Sequence, residues 1–394
     1  MNKHLVCSLI IVLIAGGCGS RGGTAGPSDK VLPVPAGNFS RQWVNSLKLE
    51  SGDAADELHL RDDILFVYSK KQLVYAISRR GGDLRYLAAP EVTGGTLRPP
   101  TVIGEYVVYP CGSTLEVFNK SGKSVKTIDL EKPTRSACSA MGTNVFLGLD
   151  HTGGTGVLCS VEMTRPYHYV NWEMLTGKAV TAAPAIYEKT IYCGSEDGKL
   201  YAINADRKAI WTLAGGANTF NTTGRFVSDL VADDYGVYAA NTDSKLYCLD
   251  RLSGKMKWVY YAGTQLKTPP VAFPSAVYQW VPSTGIVAID KANGQYNRQP
   301  KWVVKDATQV LSEDAQNVYH RSTSDHILAV DKKTGQVVFQ SKTRWSTFAT
   351  NTADPTIFVG TSTGEIAAIK PVLREGEVGV MVMDFRPEPI AMAQ

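Results

Sequence analysis

The sequence predicts an all-β fold, an eight-bladed β-propeller of four-stranded antiparallel blades, and three observations carry that expectation. The first is a period. With Ile203 of Leu200-Tyr201-Ala202-Ile203 as reference, equivalent apolar positions fall at Ile77, Phe118, Val161, Leu249, Ile289, Val330 and Ile369, at successive spacings of 41, 43, 42, 46, 40, 41 and 39 residues. Self-similar units of this length cannot bury their own faces and do so by stacking on one another. The second is turn chemistry. Asp250, Asp290 and Asp331 are each followed four residues on by Gly254, Gly294 and Gly335, with Asn119/Gly122 and Ser78/Gly82 as looser versions. Asp or Asn bonds its own turn backbone and Gly accepts positive φ, which is hairpin chemistry. The third is an aromatic in the strand after that turn: Trp211, Trp258 and Trp302, with Tyr86 and Phe339 as substitutes. A large ring at a repeated register predicts an interface between blades.

Each unit supplies four short strands, except the eighth. There Ser346 to Ala349, Thr356 to Gly360 and Glu365 to Ile369 provide three. The missing outer strand is found at the other end of the chain, in Arg41 to Leu47, which carries Trp43 in the aromatic register. The N-terminal strand is therefore expected to close the ring, which removes the open edges of a broken circle.

The flanks read differently. Lys3 is followed by the apolar run Leu5 to Ile14, too short to cross a bilayer, and by Ala15-Gly16-Gly17 before Cys18. Such a run suits a cleaved export signal. Small residues directly before a Cys resemble the bacterial lipobox, which implies a lipidated (palmitate-bearing) Cys18, and Gly19 in place of Asp implies outer-membrane retention. The expected organisation is a lipoprotein signal peptide over 1–18, a Gly/Ser/Pro-rich tether over 19–38, the propeller over 39–371 and a C-terminal tail over 372–394.

Composition excludes several functions. The 394 residues are 44% apolar and 20% charged, with a formal net charge of +4, which is ordinary for a globular protein and too mild to imply nucleic acid. Five cysteines remain after Cys7 and Cys18: Cys111, Cys138, Cys159, Cys193 and Cys248. Their odd number and irregular spacing argue against a disulfide framework or zinc site, although the sequence leaves one disulfide open. His151-Thr-Gly-Gly-Thr-Gly156 lacks the Lys-Ser/Thr of a phosphate loop and reads as a turn. The pairs Asp62-Asp63 and Asp233-Asp234 read as solvated turn carboxylates. No catalytic, cofactor or metal residue is expected.

Asp197-Gly198-x-Leu200-Tyr201-Ala202-Ile203 with Trp211, and Lys245 to Trp258, resemble the PQQ-like repeat family, over about Ser40 to Lys370. With the lipobox and eight units, the chain is similar to the outer-membrane assembly lipoproteins of the BamB family. That resemblance implies a non-catalytic protein-binding scaffold at the periplasmic face of the outer membrane, a monomeric propeller whose partners assemble β-barrel proteins. It also implies contact through a Leu- and Arg-bearing loop ahead of an Ala-Pro strand and an Asp-x-Asp stretch in the next blade. The matching segments are 175–184, with Lys178 but no Leu-Arg pair, and 225–229, with Asp229 but no second carboxylate. Quinoprotein dehydrogenases share the repeats and bind PQQ beside adjacent cysteines with calcium, and no Cys-Cys pair occurs here. Two alternatives remain: a PQQ-binding oxidoreductase or sensor, and a cell-surface ligand- or polysaccharide-binding lipoprotein.

One feature is not repeat grammar. The segment leading into the innermost strand carries a cation in five units: Arg98, Arg135, Arg225, Lys267 and Arg344, the last beside Trp345. Lys and Arg are 41 of 394 residues, so five is a modest excess. These six residues are the partner-binding candidates, expected as a basic rim at the channel mouth that attracts an acidic partner.

Overall fold

A computed structural model describes residues 38–91, 95–213, 216–292 and 299–372. The expected signal peptide with Cys18, the expected tether up to residue 37, Gly294 and the expected tail beyond Val372 lie outside the described residues. The strands form eight four-stranded antiparallel sheets, one per unit, covering 55–88, 101–129, 139–176, 185–221, 231–261, 271–304, 307–342 and 347–372. The innermost strands of neighbouring blades touch one another around the axis, so the sheets stand radially as the blades of a propeller.

The eighth blade takes its outer strand from Asn38–Ser46, which pairs antiparallel with Glu365–Val372 from Asn38 opposite Val372 to Ser46 opposite Glu365. The N-terminal strand thus closes the ring.

Alternation explains why blades stack. Along Val237–Asn241 every residue is buried, because successive side chains face opposite neighbours. Val237 and Ala239 pack toward the fourth blade, and Tyr238 and Ala240 toward the sixth. The buried apolar residues fall into eight clusters, one at each seam.

The aromatic register ties the seams at their outer edge. The indole N–H groups of Trp43, Trp172, Trp211, Trp258 and Trp302 donate to the carbonyls of Arg79, Ala205, Arg251, Lys291 and Lys332, each in the next blade's turn, at 2.7–3.0 Å. Lys126 opposes Val117 as Trp258 opposes Cys248, and its ammonium donates to Met163 O at 2.6 Å. Tyr86 and Phe339 hold the register in the first and seventh blades. Where the eighth blade has no hairpin between its third and outer strands, Phe339 packs edge-on against Phe39 instead.

The turn glycine has a double reason. Gly254 sits at φ +70°, and a Cβ there would lie 2.6 Å from the Trp211 ring. Gly335 meets Trp302 in the same way. Only glycine satisfies both the left-handed backbone and the ring above it.

Antiparallel strands give the ring two faces. One, here the hairpin face, carries the turns joining innermost to second and third to outer strands. The other, the crossover face, carries the second-to-third turns and the links between blades. On the hairpin face the acidic pairs are more than solvated turn residues, contrary to expectation. Asp63 pairs with Arg85 at 2.6 Å, and Asp233 binds Lys291 of the sixth blade while accepting the Tyr238 hydroxyl at 3.1 Å. Arg79 to Asp354 and Arg251 to Glu188 repeat this tie between adjacent blades.

Candidate functional site

The crossover face is where blades differ, and it holds all six sequence-predicted site residues. They do not form one basic rim. Arg98, Arg135, Arg225, Lys267 and Arg344 precede the first residues of their innermost strands, Thr101, Ser139, Val231, Val271 and Thr347, by three, four, six, four and three positions. Side chains alternate along extended backbone, so unequal offsets do not aim them together.

Three of the five are also neutralised locally. Arg135 Nε donates to Asp150 Oδ1 at 2.6 Å, Arg225 reaches Glu196 Oε2 at 3.3 Å, and Arg344 binds Glu365. The Asp150 hydrogen bond holds the Arg135 guanidinium above its ordinary pKa. Lys267 is exposed, with no ion pair among the described residues. Trp345 is half-buried, packs against the seam between the seventh and eighth blades, and lies 5.2 Å from the Arg344 guanidinium. The acids that compensate the rim come from hairpins 15, 29 and 21 residues away.

Arg98 belongs to a different arrangement, the neck of the central channel. Its carbonyl accepts the Tyr68 hydroxyl at 2.9 Å. Arg61, at the end of the first blade's innermost strand, donates through Nε to Pro100 O at 3.1 Å. Asp229, from the lead-in to the fifth blade on the opposite side of the ring, accepts the Ala183 N–H at 2.7 Å. Arg61 and Asp229 are both exposed to solvent. Desolvation lowers the Arg61 pKa and raises that of Asp229; the Ala183 bond and the charges of Arg61 and Arg98 pull Asp229 partly back. Within hydrogen-bonding reach Asp229 has Ala183, and no ion pair closes the gap to either arginine.

The Ala183–Asp229 bond joins the two segments singled out above, 175–184 and 225–229. Next to it Leu175 is 64% exposed at the end of the third blade's outer strand, and Lys178 is exposed. Gly177 N donates to Asp197 at 3.1 Å, and Thr181 to Glu196 at 3.1 Å. Glu196 also carries the Arg225 bond. These hydrogen bonds link the segments that carry Leu175, Lys178, Glu196, Arg225 and Asp229 into one patch across three blades. Sequence order hid this, since no local signal pairs Ala183 with a residue 46 positions on.

The cysteines carry no chemistry here. All five are buried. Ser139 opposes Phe146 and Leu147 opposes Cys159, so Cys138 and Cys159 are separated by a whole strand. At about 4.8 Å per strand spacing, that is beyond disulfide reach. Burial pushes the Cys159 and Cys193 thiols up to about 12.

The donor set does not suit a quinone held on calcium. At the channel neck the charges acting on the Asp229 carboxylate are two guanidinium groups, Arg61 and Arg98, whereas calcium takes several oxygen ligands. Among the described residues, no group of three or more His, Cys, Asp or Glu is placed to hold a metal ion. Nor is any described helix long and apolar enough to cross a membrane.

Fold and repeat define the class: a PQQ-like repeat β-propeller. Residues 112–341 match the family described as outer membrane protein assembly factor BamB, and the chain belongs to that family. The solved structure of BamB from Moraxella catarrhalis superposes with a TM-score of 0.63 at 12% identity, covering 87% of this chain and all of that one. Quinohemoprotein alcohol dehydrogenase from Comamonas testosteroni gives 0.63 at 12% identity, over 88% of this chain and 79% of that one. At such identities the likeness is of fold alone. Over 112 residues the chain is 28% identical to the Mus musculus β-alanine-activating enzyme, and it spans about a tenth of that relative's length, 10%.

Proposed function

We propose that this protein is a non-catalytic scaffold that binds other proteins of outer-membrane β-barrel assembly. The observation that carries the reading is the three-blade patch on the crossover face, within the span that matches the family. An exposed Leu175 beside Lys178, Arg225 and Asp229 offers an apolar anchor inside a polar rim, the anatomy of a protein-binding surface. A rigid ring holds the patch in place without any moving part. Export and lipidation at Cys18 belong to the same proposal; labelling with palmitate should mark the parent and spare Cys18→Ala. The quinoprotein alternative shares the fold, but its cofactor chemistry does not match the channel neck. Photocrosslinkers placed at Leu175 and Lys178 in cells, followed by mass spectrometry, test the main reading. Barrel-assembly proteins among the adducts support it, and adducts only with unrelated proteins or saccharide sink it.

A further inference from the structure

The closure seam between the eighth and first blades differs from every other seam. The other innermost-to-second turns take two to four residues, from Asp62–Asp63 and Glu188–Lys189 to 233–236, but in the eighth blade the connection runs from 350 to 356. The same blade has no hairpin between its third and outer strands, because Asn38–Ser46 arrives from the far end of the chain. A pocket of about 210 Å3 opens on the hairpin face where that hairpin would otherwise stand. It is smaller than pockets that enclose a cofactor or a drug-sized ligand.

Its walls are charged. Arg79, Arg80 and Lys370 line it against a single carboxylate, Asp354, with Gln42 and the Trp43 ring beside them. Arg79 is already committed. Its guanidinium binds Asp354, donates to Asn351 Oδ1 at 3.1 Å and Asp62 O at 3.1 Å, and lies 5.9 Å over the Phe358 ring. It is therefore fixed in place, and Asp354, held ionised by its Thr356 bonds and by Arg79, is consumed in fixing it. Arg80 is exposed and makes no ion pair or hydrogen bond among the described residues. At the seams where Trp211, Trp258 and Trp302 dock, the residue after the clamp base is Leu252, Ala292 or Lys333, and no second arginine is brought over an open pocket.

We propose that the closure-seam pocket binds a phosphate group, through Arg80, with Gln42 as a neutral donor and Lys370 in the wall adding positive charge. One uncommitted guanidinium, Arg80, stands beside the fixed charge of Arg79 and near the Lys370 ammonium, and a guanidinium fork suits the planar, multidentate recognition of oxyanions. The shared chemistry admits two sources, a free phosphate or the phosphodiester of a lipid headgroup. The first residue of the closing strand, Asn38, and the last described residue, Val372, both stand on this face.

Two soluble probes separate the sources without acyl chains: inorganic phosphate and glycerophosphoglycerol, each titrated calorimetrically into the full chain. Arg80→Glu is the main variant, since its side chain is exposed and makes no ion pair or hydrogen bond among the described residues. Lys370→Gln is the second, and Lys267→Glu on the opposite face is the control. The expected result is saturable binding of at least one probe that weakens about tenfold or more in Arg80→Glu and is unchanged in Lys267→Glu. Tighter binding of the diester assigns the site to a headgroup, and tighter binding of inorganic phosphate assigns it to the free anion. Binding of neither probe, or equal binding by Arg80→Glu, overturns the proposal. Partner capture through Leu175 would be unaffected, so the two readings fail separately.

Discussion

On the hairpin face one tie recurs from blade to blade, whereas on the crossover face the lead-in cations pair in several different ways. An indole or ammonium N–H reaches the next blade's turn carbonyl at six seams, and a base–acid pair joins adjacent blades at three of them. Across the ring, Arg135 pairs within its own blade, Arg225 with the preceding blade, and Arg98 faces Asp229 from the far side of the channel. The difference separates what builds the ring from what the ring presents. Periodic residues are spent on assembly, and the aperiodic ones are left to specify partners.

The largest expected effect comes from breaking the recurring side. Trp258 is 1% exposed and donates to Lys291 O at 2.9 Å. Trp258→Ala removes a fully packed ring at a seam and should cost about 3–5 kcal/mol in urea unfolding. Gly254→Ala tests the other half of the device and should cost roughly 1–2 kcal/mol from the left-handed backbone, plus the clash with Trp211. If both variants unfold like the parent, the indole dock is not what holds the seams.

A second break lies between the faces, inside the seam of the sixth and seventh blades. His320 is wholly buried, 6.1 Å from both Tyr278 and Trp302, and neither ring nitrogen has a hydrogen-bond partner of normal geometry among the described residues. A backbone group of Gln309 favours the proton slightly, but desolvation dominates and lowers the pKa to about 3. Glu313, Asp314 and Lys332 are the charged groups nearest this seam; Glu313 receives Tyr278 and Lys332, and Asp314 receives Tyr319. The folded pKa lies below the ordinary value of 6.5, so the unfolded chain takes up the proton first. Stability is therefore complete above pH 6.5 and is lost as pH falls toward 3, by roughly 5 kcal/mol in all. His320→Leu should be at least as stable at neutral pH and should lose this share of the acid slope, read from urea midpoints across that range. An unchanged slope would mean that the imidazole finds water or a partner.

How much of this was legible in the sequence follows the same division. Period, turn glycines and Trp43 predict the blade number and the closing strand, because each is a local signal repeated many times. Trp172 escaped, since the third blade's turn from Glu162 to Tyr169 is longer and displaces the ring from its usual spacing. Lys126 escaped for another reason: an ammonium can replace an indole N–H only when a carbonyl stands opposite, which sequence does not reveal. In the basic rim, charge was counted without its counter-charges. Asp150, Glu196 and Glu365 arrive from separate hairpins. Asp229 stood in a segment the family resemblance singled out, but its relation to Arg61 was invisible, the two being half a ring apart along the chain.

The smallest effect sharpens the comparison most. Both faces carry base–carboxylate pairs, but their surroundings differ. Lys291 and Asp233 on the hairpin face are 10% and 22% exposed, and Asp233 also accepts the Tyr238 hydroxyl. Arg225 is 54% exposed and reaches Glu196 at 3.3 Å on the crossover face. An exposed pair is screened and contributes about 0–1 kcal/mol, whereas removing one partner of a largely desolvated pair strands the other charge. Double-mutant cycles on Lys291/Asp233 and Arg225/Glu196 should therefore give a coupling of about 1–3 kcal/mol for the first and less than about 0.5 kcal/mol for the second. The Arg225 variants should nevertheless lose partner capture, and the Lys291 variants, once folded, should keep it. A crossover pair that couples as strongly as the hairpin pair would make Arg225 part of the frame, and the binding patch would then have to be sought in Leu175 and Lys178 alone.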